Sequence, residues 1–230
     1  MFLRAEAFQD RREAGRALGQ TILASGAWSS GEDGIVLGLP RGGVPVAYEV
    51  ALALHLPLDI VVVRKLGVPG LAELAMGAVA TDGAVVLNAA IIDEFRIPAE
   101  VIEAAVEREK QEVERRERAF RNGRSPERTE GRFTILVDDG LATGASMLAA
   151  VRAVRPRACK VMVAVPVAAP SACNDFRHQV DHVICARIPW SFHSVGSFYS
   201  NFEQTTDAEV CSLLSKANDD RRKLSNMVKS

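Results

Sequence analysis

Several classes of protein are excluded by what this sequence has little of. Its four cysteines lie in the last third of the 230 residues without Cys-x-x-Cys spacing. That pattern argues against a disulfide framework or a zinc site and predicts reduced thiols in the cytoplasm. No apolar run is long enough to cross a bilayer, and the N-terminal residues turn polar too soon for a signal peptide. Lys and Arg number 28 against 29 Asp and Glu, so overall charge does not predict binding to nucleic acid or a membrane.

Common catalytic motifs are also missing. The sequence has no Gly-x-Ser-x-Gly elbow and no phosphate-binding loop ending in Lys-Ser or Lys-Thr, which argues against the usual hydrolases and nucleoside triphosphatases. His178 and His182 are four residues apart and on a helix would share a face as metal ligands. Because no third ligand accompanies them, we interpret both as surface histidines.

The most informative stretch is a predicted strand that ends in two carboxylates. Residues Phe133–Val137 are apolar and rich in β-branched side chains, as in a parallel strand covered by helices on both faces. Asp138 and Asp139 follow, and a helix is predicted from Met147. Apart from Leu141, the loop between Asp139 and this helix consists of small and hydroxyl residues: Gly140, Ala142, Thr143, Gly144, Ala145 and Ser146.

This arrangement predicts a site for a sugar phosphate. Small residues let a ligand approach the backbone, and the free N–H groups at the start of a helix attract phosphate. The adjacent carboxylates repel each other, so a cation or hydroxyl donors such as a ribose diol are expected beside them. The alternative is an ordinary Asp-Asp-Gly turn in which Ser or Thr caps the helix.

A second glycine-rich loop follows the predicted strand Ile35–Leu39 and precedes a helix at residues 46–54. In this loop Gly42 and Gly43 would let backbone amides reach an anion, and Arg41 would supply a forked donor. A glycine-rich turn with a surface arginine is the alternative. The glycine spacing does not match a dinucleotide fingerprint.

Two cations stand at the end of a third predicted strand, Leu58–Val63. Arg64 and Lys65 precede a segment rich in Gly and Pro, which we interpret as a mobile flap that could close over a ligand. Glu73 is the carboxylate of that segment, either an acid–base group or a solvated surface charge.

Alternating strands and helices predict one domain over residues 1–230, with a doubly wound, mostly parallel α/β sheet flanked by helices. A hairpin is predicted at residues 76–88 and a long charged helix at 98–121. Later strands are predicted at 160–165 and 180–185, and a short terminal helix at 206–216. Five of the thirteen aromatic residues fall within 188–202, where they either bind a flat base or cover the sheet edge.

The segment Val137–Ser146 resembles the phosphoribosyl-diphosphate (PRPP) signature of type I phosphoribosyltransferases. The resemblance spans roughly residues 8–215 and implies that fold, with a helical insertion at 89–131 and a C-terminal hood at 186–217. It implies that Asp138 and Asp139 hold the ribose hydroxyls and that residues 140–146 hold the 5-phosphate. Arg41, Gly42 and Gly43 would bind pyrophosphate, with a cis peptide at Arg41–Gly42 as a hypothesis.

The resemblance also implies an activity. The expected reaction is Mg²⁺-dependent transfer of phosphoribose from PRPP to a nitrogen base, in nucleotide metabolism and salvage. Catalytic roles would fall to Asp138, Asp139, Arg64, Lys65 and Glu73, while Mg²⁺ would be held through PRPP, with water between it and Asp138 or Asp139. The expected base site is Trp190, Phe192 and His193. A cytoplasmic homodimer or other homo-oligomer is expected. The alternative is a PRPP- or nucleotide-sensing regulator on the same fold.

Overall fold

The central sheet is built from five parallel strands. The computed structural model describes residues 7–227, and the side chains of residues 72–73 and 221–227 lie outside that description. The strands are β1 (Gly34–Gly38), β2 (Leu58–Ile60), β3 (Val63–Val68), β4 (Leu71–Ala80), β5 (Val85–Leu87), β6 (Phe133–Val137), β7 (Lys160–Val167) and β8 (His182–Arg187). The parallel sheet has the order β2-β1-β6-β7-β8. The chain therefore reverses its direction of growth between β1 and β6, which makes this the switch point of the sheet.

Helices cover both faces of this sheet. They are α1 (Arg11–Ser25), α2 (Gly43–Leu54), α3 (Ala89–Glu94), α4 (Ala99–Arg121), α5 (Ala145–Val154), α6 (Pro170–Phe176) and α7 (Asp207–Met227). Ile135 of β6 packs in the core that contains α1, α2 and α7, while Leu136 packs in the core that contains α5 and α6. The predicted α/β sheet flanked by helices is confirmed. No helix within residues 7–227 is long and apolar enough to cross a membrane.

The segment that we expected to be a flap is a β-hairpin. Arg64 and Lys65 lie inside β3, which pairs antiparallel with β4, and β4 pairs in turn with β5. Pro69 and Gly70 form the tight turn, where Gly70 has φ +78°, a combination typical of type II turns. The interpretation of Arg64 as the start of a loop is therefore wrong. The Pro-Gly pair forms the turn between two paired strands, and Arg64 lies within the first of them.

The long charged helix α4 matches its predicted bounds and packs against β3, β4 and α7. Its exposed face carries an ion pair between Glu112 and Arg116, one helical turn apart. At its C-terminal end the buried Arg121 joins Asp59 of β2 at 3.1 Å and Glu117 at 2.8 Å. Since both partners of the Arg121–Asp59 pair are desolvated, this pair ties α4 to the edge of the central sheet.

Two expectations for the C-terminal third are wrong. Cys173 of α6 and Cys185 of β8 form a disulfide, because α6 packs over the end of β8, whereas Cys159 and Cys211 are free. The terminal helix α7 continues to Met227, beyond its predicted end near residue 216. Its apolar residues Val210, Leu213 and Leu214 are buried in the core, which supports a longer helix than its polar end indicates.

Candidate active site at the switch point

The acid pair lies where the carboxyl ends of β1 and β6 meet. Asp138 and Asp139 follow β6 directly, and the loop after β1 packs against them. A Cβ atom added to Gly42 would stand 2.1 Å from Asp139 Oδ2, and one added to Gly43 would stand 2.7 Å from the Val137 carbonyl oxygen. Only glycine fits at these two positions, and the glycine loop is therefore in direct contact with the acid pair.

The two carboxyl groups have different surroundings. The backbone N–H of Asp139 donates to Asp138 Oδ1 at 2.8 Å, while Asp139 Oδ2 accepts from Arg11 Nε at 2.8 Å. Burial raises the pKa of Asp138 well above its ordinary value, and the charge of Asp139 raises it further. Burial also raises the pKa of Asp139, although Arg11 opposes that shift. The two acids therefore titrate as a pair.

We expect Asp138→Asn to increase the free energy of unfolding at neutral pH by about 1 kcal/mol, the usual size of a stabilising substitution. A carboxyl whose pKa is raised by folding contributes its full stability below its unfolded pKa, and that contribution is lost as pH rises through the folded pKa. Asparagine keeps an acceptor for the Asp139 N–H but cannot ionise. Urea unfolding from acidic to neutral pH measures the effect; lower stability of the variant at neutral pH would contradict it.

The loop after the acid pair leads into α5. Gly144 has φ +72° at the N-cap position and provides no side-chain cap, so the first N–H groups of α5 are not capped by it. Ala142, Thr143, Ala145 and Ser146 line this loop, and most of its residues are exposed. Gly140 contacts the Val195 side chain, since an added Cβ would stand 2.5 Å from it. The loop thus presents small residues and a helix N-terminus to solvent, as the sequence predicts.

The side chain of Arg41 lines a cavity between α4 and the start of α7 and does not contact the acid pair. Its Nη1 lies 3.2 Å from Asp207 Oδ1, at the start of α7. The cavity there has a volume of about 160 Å³ and is lined by Arg41, Arg115, Arg116, Ala119, Phe120 and Asp207. The cis peptide that we placed at Arg41–Gly42 is one residue earlier, at Pro40–Arg41. The glycines of this loop therefore contact the acid pair, whereas its arginine is paired with α7.

The remaining predicted catalytic residues lie on the hairpin. Arg64 Nε pairs with Glu109 Oε2 of α4 at 2.9 Å, and Glu109 is also bonded to Arg108. Lys65 is exposed. The backbone of Glu73 belongs to β4, and its side chain lies outside the described residues. The pairing of Arg64 with α4 follows from the strand that replaces the expected loop.

The aromatic segment after β8 forms a partial cover. Trp190 is fully exposed, Phe192 stacks on Phe198 with ring centroids 5.6 Å apart, and the exposed His193 contacts Ser191. The aromatic residue that reaches the acid pair is Tyr199, whose hydroxyl donates to the Asp139 carbonyl oxygen at 2.6 Å. This part of the chain is therefore anchored to the candidate site through Tyr199.

Sequence reasoning missed Arg11 and Tyr199. Arg11 lies in the first turn of α1, where the Asp10 side chain caps the helix by accepting from the Glu13 N–H. The contact of Arg11 with Asp139 spans 128 positions, and that of Tyr199 spans 60. The one available signal was chemical, since two adjacent carboxylates require a compensating cation.

The fold and the site define a class: a doubly wound α/β domain with an acid pair and two glycine-containing loops at its switch point. The family model for the phosphoribosyl transferase domain matches residues 78–197, and the chain belongs to this family. The matched region contains the acid pair and the loop after it, whereas the glycine loop after β1 precedes it.

Similar proteins agree with this assignment. Two curated proteins from different strains of Mycobacterium tuberculosis, provisionally named phosphoribosyl transferases, are each 44% identical over 214 residues, covering 93% of this chain and 47% of theirs. The chain thus spans about half the length of these curated relatives. A Thermus thermophilus protein of known crystal structure is 39% identical, with a TM-score of 0.79, covering 91% of this chain and 98% of that one.

Proposed function

We propose that this chain transfers the 5-phosphoribosyl group of PRPP to a nitrogen base and releases pyrophosphate. The observation that carries the proposal is the contact between the acid pair and the glycine loop, where Gly42 leaves room only for the Asp139 carboxylate. That contact places the hydroxyl acceptors of the acid pair beside the glycine loop to which we assign the diphosphate. A ribose with a phosphate at one end and a diphosphate at the other fits three neighbouring elements: the loop at residues 140–146, the acid pair and the glycine loop after β1.

Each part of PRPP has a proposed partner. The 5-phosphate binds the loop at residues 140–146, where Gly144 turns the chain into α5 and the helix N-terminus attracts negative charge. The two ribose hydroxyls donate to Asp138 and Asp139. The diphosphate binds the backbone at Gly42 and Gly43, one strand away on β1. The order phosphate, ribose, diphosphate therefore runs across the switch point, from the loop after β6 to the loop after β1.

Magnesium fits this donor set. Asp138 and Asp139 offer hard carboxylate oxygens, whereas no group of three or more His, Cys, Asp or Glu in residues 7–227 could hold a metal alone. We therefore propose that Mg²⁺ is held mainly by PRPP, with Asp138 or Asp139 reaching it through water. Bound Mg²⁺ would neutralise charge on the diphosphate.

The chain's own residues act on both sides of the bond that breaks. The C1–oxygen bond of ribose breaks, its electron pair leaves with pyrophosphate, and the acceptor nitrogen supplies the pair for the new bond. The proton that this nitrogen carries passes to pyrophosphate or water. The carboxylates of the acid pair stabilise the positive charge that develops on the ribose. The segment around Tyr199, which is anchored to Asp139, limits the access of water to C1.

Further roles follow from the same proposal. Arg41 and Arg64 would contact the diphosphate after exchanging their partners Asp207 and Glu109. Lys65 would reach it from the exposed side of β3, with Glu73 as an acid–base or positioning group. Trp190, Phe192 and His193 would hold the base. Residues 89–131 would be an insertion and 186–217 a hood of one domain, in a homo-oligomer.

Pyrophosphate release tests the proposed function. We expect the wild-type chain, given Mg²⁺ and PRPP, to release pyrophosphate only when a suitable purine or pyrimidine base is added, with stoichiometric formation of the nucleotide. Base without PRPP is the control for contaminating phosphate. Tight PRPP binding without release for any base would favour the sensor alternative, and no binding at all would contradict both functions.

A further inference from the structure

We infer that Arg11 is a positioning residue of the acid pair, which fixes the Asp139 carboxylate so that the other carboxylate oxygens face the ribose hydroxyls. This inference rests on the proposed function and assigns to it a residue on the N-terminal helix. Arg11 does not touch the reacting atoms. It acts through Asp139.

Three contacts fix the Arg11 guanidinium. Its Nε donates to Asp139 Oδ2 at 2.8 Å, and its Nη1 donates to the Glu203 carbonyl oxygen at 2.7 Å. Its central carbon lies 3.9 Å from the centroid of the Phe202 ring. The Arg11 and Asp139 side chains are only 12% and 16% exposed, so solvent screens this pair much less than a surface pair. A side chain bound at three points has little freedom to leave.

The contacts also decide which oxygens remain for a ligand. Asp139 Oδ2 accepts from Arg11, and Asp138 Oδ1 accepts from the Asp139 N–H. Within the described part of the chain, no other side chain donates a hydrogen bond to Asp139 Oδ1 or Asp138 Oδ2. Two acceptors thus stay available, and a ribose of PRPP presents two neighbouring hydroxyls. Arg11 selects these oxygens by occupying Asp139 Oδ2.

Arg11 also joins two separate parts of the chain to the site. Its backbone belongs to α1, while Phe202 is the last aromatic residue of the segment 188–202 and Glu203 follows it. Tyr199 packs on Phe202 with ring centroids 4.9 Å apart and donates to the Asp139 carbonyl oxygen. The side chain and the carbonyl of Asp139 are therefore each held by a different residue, and together they fix its orientation.

The charges around Asp139 give Arg11 a readout that a purely structural residue would lack. Arg11 lowers the pKa of Asp139 against the effect of burial, whereas the charge of Asp139 raises the pKa of Asp138. Tyr199 faces Asp139 from the cover, but burial raises its pKa so far that it stays neutral. Arg187 of β8 stacks on Phe8. PRPP affinity should therefore fall at low pH as the acid pair is protonated, and we call this part of the pH dependence the acid limb.

The experiment measures the Kd of Mg²⁺–PRPP by calorimetry across pH for the wild type and four variants. We expect Arg11→Gln to weaken binding about tenfold and to move the acid limb to higher pH, because Asp139 loses the cation that favours its ionised form. Arg11→Lys should return the acid limb towards the wild-type position without restoring full affinity, since lysine lacks the planar fork.

Two further variants separate position from charge. Phe202→Leu removes the ring under Arg11 and should weaken binding about threefold with an unchanged acid limb. Arg16→Gln is the matched control, because Arg16 lies on the same helix, is 57% exposed and pairs with Glu49 instead. It should bind PRPP like the wild type.

Two outcomes would overturn this role while leaving the proposed function intact. Arg11→Gln that binds PRPP as tightly as the wild type, with the same acid limb, would show that Asp139 needs no positioning. Arg11→Gln that binds more tightly would show that Arg11 is a counter-ion which PRPP displaces. Failure of the wild type to bind PRPP would instead overturn the proposed function and this role with it.

Discussion

The double variant Asp138→Asn/Asp139→Asn is expected to lose about a thousandfold in kcat/KM, or about 4 kcal/mol of transition-state stabilisation. Asparagine preserves the shape of each side chain and one oxygen acceptor, but it carries no negative charge. The ribose hydroxyls lose charged acceptors in the bound substrate, and the developing positive charge loses its counter-charge in the transition state. We therefore expect kcat to fall and KM to rise.

Steady-state pyrophosphate release measures this loss, and thermal unfolding separates it from misfolding. The matched control is Asp219→Asn/Asp220→Asn, which also removes two negative charges, here from two consecutive aspartates of α7. That control should retain wild-type kcat/KM, although the loss of the bond from Tyr48 to Asp220 will reduce stability. Near-normal kcat/KM in the Asp138/Asp139 variant would remove the acid pair from the mechanism.

Gly42→Ala is the second substitution with a large expected effect: PRPP affinity should fall about a hundredfold. The added methyl would stand 2.1 Å from Asp139 Oδ2 and 3.2 Å from Arg11 Nε, so the carboxylate must leave its present position. Stability should fall by about 1–3 kcal/mol, as for other overpacked sites.

A glycine far from the site provides the control for this variant. Gly19→Ala in α1 would bring a methyl to 2.8 Å from the Cβ of Ala53 in α2, an overpacked contact away from the acid pair. It should lower the urea midpoint without changing the Kd of PRPP. Equal losses of affinity in Gly42→Ala and Gly19→Ala would mean that affinity follows global stability instead of the site.

The acid pair and its loop could be predicted because their signal is local. The β-branched run before Asp138, the small residues up to Ser146 and the helix after them each follow from neighbouring residues. The contact of the acid pair with Gly42 could also be predicted, since neighbouring parallel strands place their carboxyl ends at one edge of the sheet. Neither step needs information about distant parts of the chain.

Other features depend on partners that are distant in sequence. Arg64 and Lys65 end an apolar run, which favoured one strand followed by a loop. The run is instead divided between β2, which ends at Ile60, and β3, which begins at Val63 and pairs with β4. Arg11 is one of many arginines, and only the packing of α1 on the sheet brings it to Asp139. α7 extends past a polar stretch because its earlier turns are buried against α2 and α4. Long-range contacts of this kind override local propensity.

Calorimetric titration of PRPP with Mg²⁺ into the wild-type chain, with competition by both halves of the ligand, is the most direct test of the central claim. The account predicts one site per chain, and it predicts that ribose 5-phosphate and pyrophosphate each compete with PRPP, because the loop after β6 holds one end and the loop after β1 holds the other. PRPP that fails to bind, or binding that resists one of the two competitors, would contradict the claim that both loops form a single PRPP site.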